Sequence, residues 1–543
     1  MRRASNFLFS AVGCGASLLF ALLLASAAVL WWQKALYLHP GPAIAAIGLA
    51  LASLAIGQTI YNLQVKNLEF QVQVDELQQQ LNTPAPSPRL IGLEVLLSRW
   101  QEFKNGKLDR SDGEIIHDQI RIVQEFFQDE PQLTFRKSFA GNTPEKGVFL
   151  VQAGAAAQVL KFDRLENIRQ ERDCFTRCVL GKLSRHTPGR PVAFWPPESV
   201  WDTMLDNKRG AILYELAQVN LAGPYTFGQY YTQKPVGSVI NALQKIVEVM
   251  APSWSGQPSH FDQEHSWWDN PISLRQPHSC PRKSDSPAEW GLYDEYRRLK
   301  KSELMRRGLQ EALEKMGFTL NIFKNVGQYY FKLNNLTVRG GTVFYHPLYW
   351  VETVFSNRET FNARYGYLDN LGHRRDSIVH GDFHMGNILV EEDRGEPRIW
   401  LIDFPQTHIG PTIQDIARLE TDFRFALLPS ETLTEDIFAA ILAFEDQILG
   451  DGTRRSLDLS DLSFRLPQGI SPQVEAQLNK VWQTSAVLRR PVRAHNLILD
   501  DARPYYLALL HATLPVLYYQ DRTPWQKLYA FMSAALLCER LAS

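Results

Sequence analysis

The sequence predicts an α+β protein in which a small strand-rich segment precedes a mainly helical one, behind an apolar N-terminus. Three observations predict it. After Pro131, the runs LTFRKSF, VFLVQAG, AAQVLKF and GAILYELAQ read as strands, with a turn at GNTPEKG and a helical stretch ENIRQERDCFTRCVLGKL between them. From about Thr226 to the end the pattern is mostly helical. That helical part is interrupted at VHGDFHMGNILVEEDRGEPRIWLIDFPQ, Val379 to Gln406, where two β-like runs flank the polar turn EEDRGEPR.

The N-terminal elements follow in order. Phe7 to Trp32 holds no charged residue and is long enough to cross about 30 Å of hydrocarbon, and a second apolar run extends from Ala43 to about Ile60. Residues 1–60 are therefore expected to be a two-span membrane anchor, its small residues permitting a close helical hairpin. Arg2 and Arg3 precede the first span and the connecting loop offers Lys34, which sets the N-terminus, and hence everything after the second span, on the cytoplasmic side. No charged residue marks a transport pathway within the spans. In residues 60–82, Ile60, Leu63, Asn67, Phe70, Val74, Leu77 and Leu81 alternate by three and four. This fits a short coiled coil that would make a homodimer, and it also fits a single amphipathic helix lying on the body or the membrane surface. TPAPSPR, residues 83–89, reads as a stiff linker, and residues 90–130 as a helical lead-in.

Composition narrows the function classes. At 45% hydrophobic and 11% aromatic the chain of 543 residues can bury a large core, and its length exceeds one ordinary domain. A net charge of −1 gives no electrostatic footprint for nucleic acid, so none is expected as partner. Five cysteines without a dense framework suit a reducing compartment. Residues 252–290 form a Pro/Ser/Trp/His-rich insert whose His260, His265, His278 and Cys280 match no tight zinc spacing, while Trp254, Trp267 and Trp268 argue against a purely disordered loop. The last apolar run, Leu528 to Leu537, is too short for a third span and reads as core helix.

The interrupting stretch carries the chemistry. It holds Asp382, Asn387 five residues on, and Asp403 sixteen residues after that. Phosphoryl transfer needs a carboxylate to orient the acceptor hydroxyl and take its proton, and further oxygens to hold Mg2+ on the phosphates. The two β-like runs make a hairpin, with the Asp382 loop at one end of it and Asp403 at the other.

HGDFHMGNILV followed by IDF resembles the catalytic and metal loops of the aminoglycoside phosphotransferase and choline kinase group of the protein-kinase-like superfamily. The resemblance runs over roughly residues 131 to 425 and implies a two-lobed fold, with an N-lobe at 131–220 and a C-lobe at 221–543 containing the insert. It implies an ATP- and Mg2+-dependent phosphotransferase. Asp382 would be the catalytic base or acceptor-orienting carboxylate, Asn387 and Asp403 the magnesium ligands, and His380 and Gly381 the shapers of the loop. Asp415, in IGPTIQDIARLE, matches the helix-borne Asp that steadies that loop. In the N-lobe, Lys161 would hold the nucleotide phosphates and Glu171, ten residues on, would hold Lys161, with Glu166 a rival at the helix start. The turn with Gly141 and Gly147 falls where a phosphate-covering loop belongs, although it lacks the GxGxxG pattern. Glu215 to Ala217 matches the hinge that would bond adenine through its backbone. DFPQ stands in place of the DFG of protein kinases, which favours a small-molecule kinase type.

Two functions from different classes follow. One is a membrane-anchored kinase acting on a hydroxyl of a small molecule or lipid head group. The other is a nucleotide-binding sensor or scaffold module in a multi-component bacterial defence or signalling system. A likeness of fold does not choose the acceptor.

Overall fold

The strand-rich segment forms a six-stranded sheet. The computed structural model describes residues 88–542 except for 104–109, 140–145, 181–189, 196–208, 216–223, 255–302, 335–342, 356–375, 426–434 and several shorter stretches. The strands are β1 (Arg89–Ile91), β2 (Gln132–Ser138), β3 (Val148–Ala153), β4 (Ala156–Arg164), β5 (Arg190–Trp195) and β6 (Arg209–Glu215). Their order is β1-β2-β3-β4-β6-β5, with β1 parallel to β2 and the other pairs antiparallel.

Val148, Phe149, Leu150 and Val151 of β3 are all buried. Successive side chains of a strand point to opposite faces, so both faces of the sheet must be covered. The register aligns Val148, Lys161 and Ile212 on one face, beside Leu150, Val159 and Tyr214. The other face carries a row of aromatic rings, Phe135 on Phe149 at 5.7 Å and Phe149 on Phe162 at 6.0 Å, both edge-on. Helices α1 (Leu93–Phe103) and α2 (Arg110–Phe126) bury Leu96, Trp100, Ile116, Ile120 and Val123 and pack on β2 and β6. Trp195 ties β5 to α2 by donating to Glu125 at 3.1 Å.

Here the structure corrects the linker and lead-in. Arg89 to Ile91, expected at the junction of a stiff linker and a helix, adds a strand to the sheet edge, with the Arg89 amide donating to the Pro131 carbonyl at 3.1 Å. Gly92, at φ +72, ends that strand, and its carbonyl accepts from Val95 in the first turn of α1. The expected anchor, the 60–82 segment and residues 83–87 of the linker lie outside the described residues. Among the described residues no helix is long and apolar enough to cross a membrane.

Helix α3 (Leu165–Cys174) and a π-helical turn, Phe175–Val179, follow β4. The chain then enters its helical part through β7 (Tyr225–Thr226), α4 (Phe227–Gln233) and α5 (Val236–Trp254). Thr226 and Gln229 cap α4 reciprocally, each side chain bonding the other's backbone amide. Helix α5 runs through Pro252 to Trp254, so the first residues of the expected insert are helix; Trp254 is buried edge-on against Phe383 at 6.0 Å. The rest of that insert lies outside the described residues.

After α6 (Glu303–Met316) comes a second departure. Three antiparallel strands, β8 (Leu320–Asn325), β9 (Gln328–Leu333) and β10 (Val343–Tyr345), stand where helix was expected. QYYFKL alternates sides along β9, and Phe331 reaches Phe531 at 5.1 Å, so tertiary packing selects the strand. Next come α7 (Pro347–Phe355), β11 (Asp376–Val379), β12 (Ile388–Asp393), β13 (Glu396–Leu401), β14 (His408–Pro411), α8 (Ile413–Phe425), α9 (Glu435–Leu449), α10 (Pro472–Ala494), α11 (Arg503–Thr513), a 3₁₀ turn Leu514–Tyr518 and α12 (Pro524–Ala542).

Every residue of α8 is buried, charged ones included. A helix without a solvent face must pair its charges internally. Arg489 of α10 grips Glu420 through two nitrogens at 2.5 and 2.8 Å, and Tyr505 donates to the same carboxylate at 2.7 Å. Arg424 pairs with Glu445, which also accepts from Tyr529 at 2.7 Å and Ser533 at 2.6 Å. This network fixes α8, the helix beneath the site.

Candidate active site

The hairpin β12–β13 pairs Ile388 with Leu401, and one step further the Ile402 amide donates to the Asn387 carbonyl at 3.0 Å. The Asp382 loop and Asp403 therefore share the open end of the hairpin. They do not sit at its two ends, because antiparallel pairing returns the chain to where it started.

The loop is folded on itself. Asp382 offers its carbonyl to the His384 amide at 2.9 Å and to Asn387 Nδ2 at 2.9 Å, which orients the Asn387 amide. Asp415 Oδ2 accepts from the His380 amide at 2.8 Å and Asp415 Oδ1 from the Gly381 amide at 3.0 Å. Burial pushes the Asp415 carboxyl up to about 7, against the pull of those two amides. The His380 ring is buried, with Nε2 bonded to the Ile402 carbonyl at 3.0 Å, and burial pushes its pKa down. Gly381 sits at φ +81, and a Cβ there would collide with the Gln406 carbonyl. Gly381→Ala is expected to cost about 2 kcal/mol of stability from backbone strain, with the collision added, read as a lowered denaturation midpoint.

The strand-rich part and the helix after it meet this end of the hairpin around Lys161. Lys161 Nζ lies 2.5 Å from Glu171 Oε2 and 2.6 Å from Asp403 Oδ1, and its side chain is 4% exposed. Burial alone would lower the Lys161 pKa, but Asp403, Glu171 and Asp163 outweigh it and raise it, so the ammonium stays charged. Glu171 is pushed up to about 7 by burial, with Lys161 pulling the other way. Its carboxylate also accepts from Tyr214 and from the Phe404 amide, the latter at 3.0 Å. Gln170 donates to the Pro405 carbonyl at 2.8 Å. Asp403 adopts φ 71, a left-handed conformation rare for a side chain other than glycine. Phe404 is core, packed on Phe175 at 5.4 Å.

The other sequence-predicted residues are placed as follows. Gly147 precedes β3, buried, its carbonyl accepting from Phe162 at 2.9 Å. Glu215 ends β6, exposed, opposite Gln158 and Arg190. Glu166 lies in the first turn of α3. Gly141 and Ala217 fall outside the described residues. Among the described residues no group of three or more His, Cys, Asp or Glu side chains is placed to hold a metal ion. Asn387 and Asp403 contribute an amide and a carboxylate at one hairpin end. Such hard oxygen donors suit Mg2+, which commonly takes few protein ligands and completes its shell with phosphate and water.

Sequence reasoning missed Arg418 and Asp422. Arg418 Nε stands 3.5 Å from Asp382 Oδ1, and Asp422 Oδ2 accepts from the Met385 amide at 2.9 Å. Their signal was a spacing of three and seven residues after Asp415 on a helix.

A family model described as ternary complex associated domain 9 matches residues 294–517, a span that includes Asp382, Asn387 and Asp403 but neither Lys161 nor Glu171. No curated protein matches the chain. Similar solved structures are phosphotransferases and related kinases. A Ralstonia eutropha protein provisionally assigned as an aminoglycoside phosphotransferase is 12% identical, with a TM-score of 0.34, covering 78% of this chain and 98% of its own. The aminoglycoside phosphotransferase APH(4)-Ia, with AMP-PNP and hygromycin B, is 11% identical at TM-score 0.34, covering 77% of this chain and 97% of its own. A microcompartment-associated aminopropanol kinase is 14% identical at TM-score 0.24, covering 70% of this chain and 99% of its own.

Proposed function

We propose that this chain is an ATP- and Mg2+-dependent phosphotransferase of the protein-kinase-like type, acting on a hydroxyl of a small molecule or lipid head group. In this proposal it is held at the cytoplasmic membrane face by residues 7–32 and 43–60. One observation carries the reading: the buried Lys161 joins Glu171 of α3 to Asp403 beside the Asp382 loop, at 2.5 and 2.6 Å. A charged ammonium so anchored is a fixed partner for phosphate oxygens. Glu171 holds it, and also holds the Phe404 amide, so the cation and Asp403 are set by one carboxylate. Asn387 and Asp403 are the residues that would hold Mg2+, which when bound neutralises charge on the phosphates. Asp382, with its side chain 37% exposed, is the group available to an acceptor hydroxyl, which it orients and whose proton it takes.

The test is thermal stability of the full chain with ATP, with and without Mg2+, beside Asp403→Ala. A ligand that binds the native state at one hundred times its Kd stabilises it by about 2.7 kcal/mol. The expected result is a Mg2+-dependent rise in midpoint that Asp403→Ala loses. No rise in a folded wild-type chain would overturn nucleotide binding at this site.

The family match favours a second reading, a nucleotide-binding module that works within a multi-component assembly, since the matched domain is described as associated with ternary complexes. Mg2+-dependent stabilisation by ATP without transfer to any hydroxyl acceptor would select it.

A further inference from the structure

One face of α8 reads the whole candidate catalytic loop. Asp415, Arg418 and Asp422 stand at positions i, i+3 and i+7, which a helix places on one side. Asp415 takes the amides of His380 and Gly381, and Asp422 takes that of Met385. Arg418 lies between them, with Nε 3.5 Å from Asp382 Oδ1 and Nη1 3.4 Å from Asp422 Oδ1. Its side chain is 10% exposed, and its guanidinium lies 5.8 Å from the centre of the Tyr519 ring. Arg522 approaches the same ring at 5.9 Å and Asp422 at 4.0 Å. Asp422 and Tyr519 thus hold a fork that in turn reaches Asp382.

On the loop of Asp382 itself, His384 Nε2 lies 3.7 Å from Asp382 Oδ2. Arg418 reaches the other oxygen, Oδ1, from α8, with a guanidinium that stays charged.

We propose that Arg418 is a positioning residue, which holds the Asp382 carboxylate in one orientation. The assignment rests on the phosphotransferase reading for what Asp382 does. A planar guanidinium can face Asp382 and Asp422 together, whereas a lysine ammonium is a point charge on a flexible stem.

Two measurements on the full chain test it. The first is an experimental structure of Arg418→Gln beside the wild type, in which the Asp382 carboxylate should leave its wild-type orientation while Asp415 and Asp422 keep their bonds to the loop amides. The second is hydrolysis of MgATP with water as acceptor. Here Arg418→Lys should lower kcat by about ten- to one-hundred-fold with KM for MgATP within about two-fold, since misplacing a reacting group by an ångström costs that much. An Asp382 side chain unmoved in Arg418→Gln, or a wild-type kcat in Arg418→Lys, overturns the proposal. Should Arg418→Gln fail to fold, the kcat of Arg418→Lys decides. If the wild type hydrolyses no MgATP, the phosphotransferase reading loses its support, while the structure of Arg418→Gln still decides whether Arg418 orients Asp382.

Discussion

Asp382→Asn is expected to lower phosphoryl transfer by about a thousand-fold while leaving MgATP-dependent stabilisation intact. A positioned general base contributes about 10²- to 10⁴-fold, and an amide can neither take the acceptor's proton nor pair with Arg418 as a carboxylate does. The substitution keeps the shape of the side chain. It also spares the loop, which Asp382 holds through its backbone carbonyl, to His384 and Asn387. Lys161 bonds Glu171 and Asp403, and neither of those bonds involves Asp382. Transfer kinetics and thermal shift on the same preparation check both halves. An unchanged rate would remove Asp382 from the mechanism, and a lost thermal shift would mean that the substitution had disturbed the nucleotide side.

The second large effect is on stability. Arg489→Met is expected to destabilise the protein by about 3–5 kcal/mol, the usual consequence of leaving a buried charge without its partner. Arg489 holds Glu420 with two bonds and also donates to the Ile448 carbonyl at 2.7 Å, joining α8, α9 and α10. Glu420 keeps its bond from Tyr505, and Arg424 lies 3.9 Å away, but Arg424 is already committed to Glu445. Replacing both partners, Glu420→Leu with Arg489→Met, should recover part of the loss, because it removes the charge that needed compensation. Denaturant midpoints of the single and double variants measure this. A double variant less stable than the single one would show that the pair does more than cancel its own desolvation.

The candidate site residues were legible through the likeness of HGDFHMGNILV and IDF to a known family, which points to particular residue types at matching positions. Asp403 is far in sequence from Lys161 and Glu171, and the structure brings the three to one point. Asp415 was legible for the same reason, as a carboxylate on the helix after the loop. Arg418 and Asp422 were not, because α8 is buried on every side and lacks the polar-apolar contrast that would single out a face. Strands with several buried residues, β2, β3, β4 and β6, were readable from their apolar runs. β1 has three residues and exists only because β2 offers it an edge. The sheet β8–β10 was read as helix because aromatic runs such as QYYFKL carry no period of their own, and packing on Phe531 decided them.

The antiparallel hairpin has a consequence for how this sequence can vary. Because Asn387 and Asp403 share its open end, the residues between them lead out along β12 and back along β13, and the number of residues in the far turn does not enter the geometry of the site. Glu392 is engaged by Tyr230 and Lys234, so the free play begins after it, around Gly395 at φ +88. Related chains can therefore lengthen that turn while the two oxygen donors keep their relation. The separation of sixteen residues between Asn387 and Asp403 reflects the length of a ribbon and places no demand on the reaction.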